Sequence, residues 1–301
     1  MNSRIGIVGA GVAGLTCARR LVALGHEVVL FDKGRFPGGR VATREHDGLV
    51  FDHGAQYVRA HSLHFAAALE RWKADGALEE YGNERWVGAP TMRALAEQMA
   101  KGLDVRLEST VTGVSKGSIA LDDGSTHAFD AVVVTAPIPQ ARRLLPDDST
   151  LLPLLSAETH APCWALMLAF EEPIPKPIEV SDNVVWAARE SDKPQRGGGE
   201  RWIVHATSEW STEHVELSRE EAAERLLETL RAADPALPDP TFARAHRWRF
   251  ARAMEPIGVN CVFDAKHHIG VCGDGFVGAS VENAWLSARA MAESLDGHLS
   301  S

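Results

Sequence analysis

The chain has 301 residues, 45% of them apolar, and 41 acidic side chains stand against 31 basic ones for a formal net charge of -10. That length holds one large α/β unit or two joined domains with an ample core, and the acidic balance excludes general nucleic-acid binding, because there is no basic excess to release counterions from phosphates. No apolar run reaches membrane-spanning length, and Cys17, Cys163, Cys261 and Cys272 contain no C-x-x-C pair that would mark a zinc site or a disulfide framework. They read as buried, reduced thiols. The first glycine motif begins too near Met1 to leave room for a cleaved signal, so the expected setting is the cytoplasm.

The stretch IGIVGAGVAGLTCARRLVALGHEVVLFDK, Ile5 to Lys33, predicts a βαβ unit: an apolar run into glycines, a helical pattern to Leu24 and a second apolar run ending on Asp32. Gly9 permits the tight turn, Gly11 lets backbone approach a pyrophosphate, and Gly14 lets the helix lie against the sheet. Ala10 and Ala13 lie between them, and the free N–H groups at the helix start attract an anion. Asp32, with Lys33 beside it, lies where a carboxylate at the end of the second strand accepts hydrogen bonds from ribose hydroxyls.

Next comes KGRFPGGRVATRE, a polar glycine-rich loop, and then LVFDHGAQYVRA, an apolar segment broken at Gly54. Helical patterns cover His64 to Lys73 and Thr91 to Lys101, and a strand is expected from Val105 to Val114. A hairpin turns at Asp123 and Gly124, and Ala131 to Thr135 reads as a central parallel strand buried on both faces. From about Leu145 the texture changes. CWALMLAFEEPI, NVVWAARES, RWIVHATSEWS and RAHRWRFARAM are strand-like runs rich in Trp and β-branched residues, interrupted by one helix from Arg219 to Ala233. They predict an antiparallel sheet with a covering helix, a second, substrate-type domain. HIGVCGDGFVGASVENAWLSARAMAESL then restores strand, glycine-acid turn and long helix. The expected fold is α/β, a discontinuous Rossmann-type dinucleotide domain over 1–60, 91–145 and 256–301 with an antiparallel-sheet substrate domain over 61–90 and 146–255.

The paired glycines and arginine of PGGR, Pro37 to Arg40, suit a backbone approach to a second phosphate or a flavin edge. The Gly273–Asp274 turn leads into a helix whose N-terminal dipole faces the same ligand. Two helix N-termini converging on one extended ligand fit a resident FAD better than an exchangeable NAD.

With these features the chain resembles the flavin amine-oxidase superfamily, and within it the renalase-like branch. The resemblance is carried by FDKGRFPGGR, FDHGAQYV, RWVGAPTM, WIVHATSEWS, AHRWRFARA and GVCGDGFVGASVENAWLSARA, in that order across most of the chain. It implies a non-covalent FAD reduced by a dihydronicotinamide dinucleotide hydrogenated at the wrong ring carbon, with return of the hydride to O2 as hydrogen peroxide. It calls for no metal, membrane, nucleic acid or obligate protein partner. Bacterial members usually carry a Trp after the glycine-acid pair and an Arg shortly before the last helix. Gly275 and Ser280 stand there instead, the first expected to widen the space near the flavin and the second to remove a charge that serves a phosphate.

The expected flavin contacts are Gly9, Ala10, Gly11, Ala13, Gly14, Asp32, Lys33, Gly39, Arg40, Gly54, Ala55, Gln56, Val111, Gly273, Asp274, Val281, Glu282 and Ala284. Flavin hydride chemistry needs shape and polar clamps more than a triad. Candidate catalytic residues are therefore His205, His246, Trp248, Gln56 and Tyr57. Strand alternation puts Arg244, His246, Trp248 and Phe250 on one face as an aromatic wall, and Arg247 and Arg249 on the other as cations for a pyrophosphate or as a solvated basic face. His205, Thr207 and Glu209 are expected to share a face, where a buried polar group meets a substrate amide or a neighbouring strand. Tyr57 is a flavin neighbour or simple core, and Glu282 a cofactor contact or a charge that suits the helix terminus.

Two further readings stay open. In an amine oxidase, two aromatic rings and a lysine-held water surround the substrate nitrogen; here Lys176 and Lys193, the lysines of the 146–255 part of the second domain, lie in Pro-rich or Gly-rich loops, poor mounts for such a water. The other is a flavin-bearing binding protein without turnover.

Overall fold

The computed structural model describes residues 2–156 and 160–300. The βαβ unit forms as expected from β1 (Arg4–Val8), α1 (Val12–Ala23) and β2 (Glu27–Phe31). A hairpin of β3 (Thr43–His46) and β4 (Leu49–Asp52) follows, then α2 (Leu63–Ala74), the short pair β5 (Leu78–Glu80) and β6 (Trp86–Gly88), and α3 (Met92–Ala100). The single strand expected from Val105 to Val114 is divided. Glu108 takes a left-handed conformation at φ 52°, so β7 (Asp104–Arg106) joins the main sheet while β8 (Val111–Ser115) pairs with β9 (Ser118–Leu121), itself paired with β10 (Thr126–Ala128).

After β11 (Ala131–Val134) and α4 (Ile138–Leu144) come β12 (His160–Phe170), β13 (Val184–Arg189), β14 (Glu200–Ala206), α5 (Ser208–Glu213), α6 (Arg219–Ala233) and β15 (Phe242–Ala253). The chain closes with β16 (Val262–Asp264), β17 (Ile269–Val271), α7 (Asp274–Val277) and α8 (Val281–Leu299).

The main sheet has the order β16-β17-β11-β1-β2-β7 and is parallel except for the β16–β17 pair. Its residues alternate between two cores, which is why its strands read as continuous apolar runs. Ile5, Ile7, Ala131 and Val133 face α1, α3 and α8, while Val8, Val132 and Val134 face Ile119, Phe129 and Ile138. Residues 61–90, grouped above with the second sheet, supply Phe65, Leu69, Leu78 and Val87 to the first of these cores.

The second sheet is antiparallel, in the order β13-β14-β12-β15. One face buries Trp164, Leu166, Leu168, Val204 and Ala245 against Ala222, Ala223, Leu226 and Leu230 of α6, a helix started by the Ser218–Glu221 capping box. The opposite face brings Met167, Ala169 and Ile203 onto Phe51 of β4. That contact lays the second sheet over the chain segment that follows β4, where the site forms.

Candidate active site

The opening glycine turn is a backbone cradle shaped for a dinucleotide. Gly9 sits at φ 102° and donates to the Phe31 carbonyl at 2.8 Å. A Cβ on Gly14 would lie 1.9 Å from the Gly9 carbonyl oxygen, so the turn and the helix approach as closely as backbone allows. Gly11 bridges Gly38, and a Cβ there would meet nothing nearer than 3.9 Å. No side chain caps the start of α1, which leaves the first N–H groups, those of Val12 to Gly14, for an anion. These features fit the phosphates of a flavin dinucleotide.

Asp32 braces that turn: one carboxylate oxygen accepts from Ala10 N and the other from Gly34 N, each at 2.7 Å. The remaining lone pairs of this half-buried carboxylate are what a ribose would use. Lys33 is exposed. Arg40 forms a fork with Asp274, Nη1 to Oδ2 at 2.8 Å and Nη2 to Oδ1 at 2.5 Å, and also reaches the Ala251 carbonyl. Gly54 packs so tightly on Arg40 that a Cβ would sit 2.0 Å from its carbonyl oxygen, and Ala55 N donates to that same carbonyl. Val111 starts β8 opposite Leu121, half-buried at the edge of the second core.

The C-terminal turn departs from expectation in three ways. Only one short helix, α7, follows Gly273; the chain breaks at Gly278, φ 133°, before α8 begins. Ser280 is the N-cap of α8, its hydroxyl accepting from Asn283 N at 3.0 Å, a structural role that the sequence reading did not assign to it. Gly275 does not widen the space: a Cβ there would meet Ile138 Cδ1 at 2.7 Å. Glu282 is likewise spent on protein. It is buried and accepts from His61 N, Ser62 N and Ser62 Oγ at 2.5 to 2.8 Å, tying α8 to the cap of α2. Val281 and Ala284 flank it and pack on the first core.

The catalytic candidates divide into two groups. The Gln56 side chain is fully engaged: its amide donates to the Asp52 and Gly54 carbonyls, and Oε1 accepts from Lys193 Nζ at 3.0 Å. Both amide protons are spent on shaping the loop after β4. Lys193, read from its loop as a poor mount, is completely buried, 2.8 Å from Glu190 Oε1 and 3.6 Å from Asp52 Oδ2. The same Asp52 oxygen accepts from Arg196 Nε and Nη2 at 2.9 and 2.6 Å. Burial, the largest influence, raises the Glu190 pKa, against the pull of Lys193. Asp52, Glu190, Lys193 and Arg196 thus clamp the 190–199 loop onto β4, an arrangement with no periodic signal in the sequence.

The second group lies along one cross-strand row of the second sheet. Trp186 pairs with His205, His205 with Ala165, and Ala165 with His246, so all four side chains share a face, with the small Ala165 in the middle. Trp248 is two residues beyond His246, and their rings lie 4.5 Å apart. His53, unnoticed in the sequence, stacks on Trp248 at 5.1 Å and meets His246 edge-on at 4.7 Å, while Trp248 Nε1 donates to the His53 carbonyl at 2.8 Å. Burial pushes His205 and His246 from 6.5 down to about 4 and His53 well below 6.5, so this patch is uncharged at neutral pH. Tyr57 faces Trp186 at 5.5 Å with the Arg85 guanidinium over both rings.

The aromatic wall is therefore observed, and the basic face is corrected. Arg249 forms a fork with Glu216, and Arg247 reaches Glu216 and the Val215 carbonyl, on the α6 side of the sheet and away from the glycine turn. Thr207 and Glu209 do not extend the His205 face, because β14 ends at Ala206 and Thr207 caps α5, accepting from Trp210 N at 3.3 Å. The four cysteines are free, but only Cys17 and Cys272 are buried.

Residues 65–294 match the family model of flavin containing amine oxidoreductases, and residues 7–72 that of an NAD(P)-binding Rossmann-like domain. The chain belongs to the flavin containing amine oxidoreductase family. As a member it is a flavin-dependent oxidoreductase. It is 23% identical to the renalase of Mus musculus across 99% of this chain and 100% of that protein. It is also 42% identical to a 4,4'-diapophytoene desaturase of Staphylococcus haemolyticus (strain JCSC1435), over 125 residues that make up 24% of that enzyme. Among solved structures, the fold matches a protein of Exiguobacterium sp. 255-15, provisionally named a protoporphyrinogen oxidase, with a TM-score of 0.81 at 14% identity. A putrescine oxidase variant matches at 0.71 and 14%, and each alignment covers 99% of both chains. Among the described residues no helix is long and apolar enough to cross a membrane.

Proposed function

We propose that this protein is a FAD-dependent oxidase of 2- or 6-dihydro-NAD(P), isomers of the ordinary nicotinamide reductant, which it returns to NAD(P)+. When bound, the flavin accepts the hydride and passes it to O2 as hydrogen peroxide. Retention of the FAD is non-covalent, since no Cys or His stands in a recognisable attachment motif. Its free cysteines suit the cytoplasm.

The observation that carries this reading is the set of buried polar atoms on the aromatic face that have no partner among the described residues: His53 Nδ1, His205 Nε2 and Trp186 Nε1. The His205 imidazole lies by the His53 backbone and that of His53 by the Ala42 backbone. A neutral imidazole carries one donor and one acceptor nitrogen, so His53 Nδ1 and His205 Nε2 can each serve as an acceptor, and the indole presents a donor. A carboxamide supplies the complement, two N–H donors and one carbonyl. The surrounding Trp248 and His246 rings hold a flat ring in place and favour the cation that forms once the hydride has left. No base is required, because the dihydropyridine has no proton to lose.

One observation favours a second reading, oxidation of a small amine: Lys193 is buried and rigidly held beside Gln56, and the fold is shared with a putrescine oxidase. Oxygen uptake separates the two. The first reading predicts consumption with one molecule of peroxide per 2- or 6-dihydro-NAD(P) and none with putrescine or benzylamine; the reverse pattern establishes the second.

A further inference from the structure

The aromatic face ends in a group of cations that form no ion pair among the described residues. In the β3–β4 hairpin Arg44 lies directly opposite Phe51, so the two side chains share a face. Phe51 stacks on Phe242 at 5.5 Å, and His46, two residues from Arg44, contacts the same ring at 5.0 Å. The hairpin therefore presents Arg44 to the face of β15 that carries Phe242, Arg244, His246 and Trp248. Arg219 opens α6 beside β15, the edge strand of the sheet, and its charge reaches both Arg44 and His246.

Arg44, Arg219 and Arg244 make no ion pair and no side-chain hydrogen bond among the described residues, and Arg44 Nε is buried without a partner. The pKa of Arg44 is lowered first by burial and then by the Arg219 and Arg244 charges. Neighbouring arginines behave differently: Arg247 and Arg249 both reach Glu216. Like charges left together in a chain with a net charge of -10 repel one another and are offset when an anion joins them.

We infer that Arg44, Arg219 and Arg244 form the phosphate-binding end of the substrate site and select a phosphorylated dihydronicotinamide over its unphosphorylated riboside. The inference rests on the dihydronicotinamide reading. A ring held at His246 and Trp248 carries its 5′-phosphate one ribose away, and Arg244 is the next residue along the same face. Two half-buried guanidinium groups and one exposed one can surround phosphate oxygens with charge-assisted hydrogen bonds. None of the three touches the glycine turn, so the site is separate from the one that receives the flavin phosphates.

The test uses the flavin-loaded protein and follows flavin absorbance during titration with oxidised nicotinamide riboside and nicotinamide mononucleotide, with inorganic pyrophosphate binding measured by calorimetry. The mononucleotide is expected to bind at least about tenfold more tightly than the riboside, with the preference shrinking as salt is raised. Arg44→Gln and Arg244→Gln should each remove most of that preference and weaken pyrophosphate binding, while Arg249→Gln, on the far face, leaves both intact. Equal affinity for the two nicotinamides in the parent, a preference that survives in both variants, or no pyrophosphate binding overturns the inference. Reduction of the flavin by both the dihydro-riboside and its phosphate, with equal affinities, would sink the phosphate site alone. Arginine-dependent binding of the mononucleotide without reduction by any dihydronicotinamide would sink the redox reading alone.

Discussion

Arg40 and Asp274, 234 residues apart in the chain, meet as a fork-to-fork pair with contacts of 2.8 and 2.5 Å. The pair joins the loop after β2 to the turn after β17, so two distant parts of the chain are fixed to each other beside the glycine cradle. Asp274 is buried and Arg40 partly so. Asp274→Asn leaves the guanidinium facing a neutral amide and is expected to cost about 1 to 3 kcal/mol, less than a fully buried pair because Arg40 meets solvent. Thermal melts followed by release of flavin fluorescence check this. A variant that melts and retains flavin like the parent shows that the pair does not hold the cradle together.

Asp32 gives a second prediction. Its carboxylate holds Ala10 N and Gly34 N, so Asp32→Ala removes two charge-assisted hydrogen bonds from the turn along with the proposed ribose acceptor. Flavin affinity should fall by roughly 1.5 to 3 kcal/mol per lost bond at most, while far-ultraviolet circular dichroism stays unchanged. Equal flavin retention in gel filtration would refute the ribose role.

Lys193→Met tests whether the buried lysine acts on the reaction or only on the fold. Removing one partner of a buried charge cluster is expected to destabilise by about 3 to 5 kcal/mol, visible in urea melts. Because a dihydronicotinamide needs no base, the reduction rate of flavin-loaded variant should stay within about a hundredfold of the parent. A far larger loss would place Lys193 at the reacting atoms and favour the amine reading.

The sequence was most legible where one local rule acted alone. Gly9, Gly11, Gly14 and Asp32 were placed by the spacing of a βαβ unit, and the wall of Arg244, His246 and Trp248 by strand alternation. It was least legible where a residue's partner lies far along the chain. Lys193 looks like a loop lysine until Gln56, 137 residues away, is seen to accept from it. His53 precedes a glycine break and has no pattern of its own, yet β15 brings Trp248 onto its ring. Glu282 looked like a ligand residue because a helix start is suited to both roles; the neighbouring N–H groups of His61 and Ser62 took it instead.

Stability should depend on pH through the same imidazoles. His205 and His246 titrate at about 4 in the folded chain and at the ordinary 6.5 when unfolded. Between those values the unfolded state binds more protons, so their contribution to stability is fully present above pH 6.5 and is lost as pH falls from there toward 4. Urea midpoints measured across that window should decline, and a His205→Gln, His246→Gln double variant should show a shallower decline. An equally steep profile in the double variant would assign the titration to other groups.

Anaerobic stopped-flow spectroscopy of the flavin-loaded enzyme addresses the central claim most directly. Mixing with 2- or 6-dihydro-NAD(P) should bleach the flavin rapidly in a single turnover, and ordinary 4-dihydro-NAD(P)H or simple amines should leave it nearly unchanged. Trp248→Ala should slow the bleaching, since misplacing the ring by even ~1 Å costs on the order of a hundredfold. Fast bleaching by benzylamine or a polyamine, with none by the dihydronicotinamide isomers, would contradict the account.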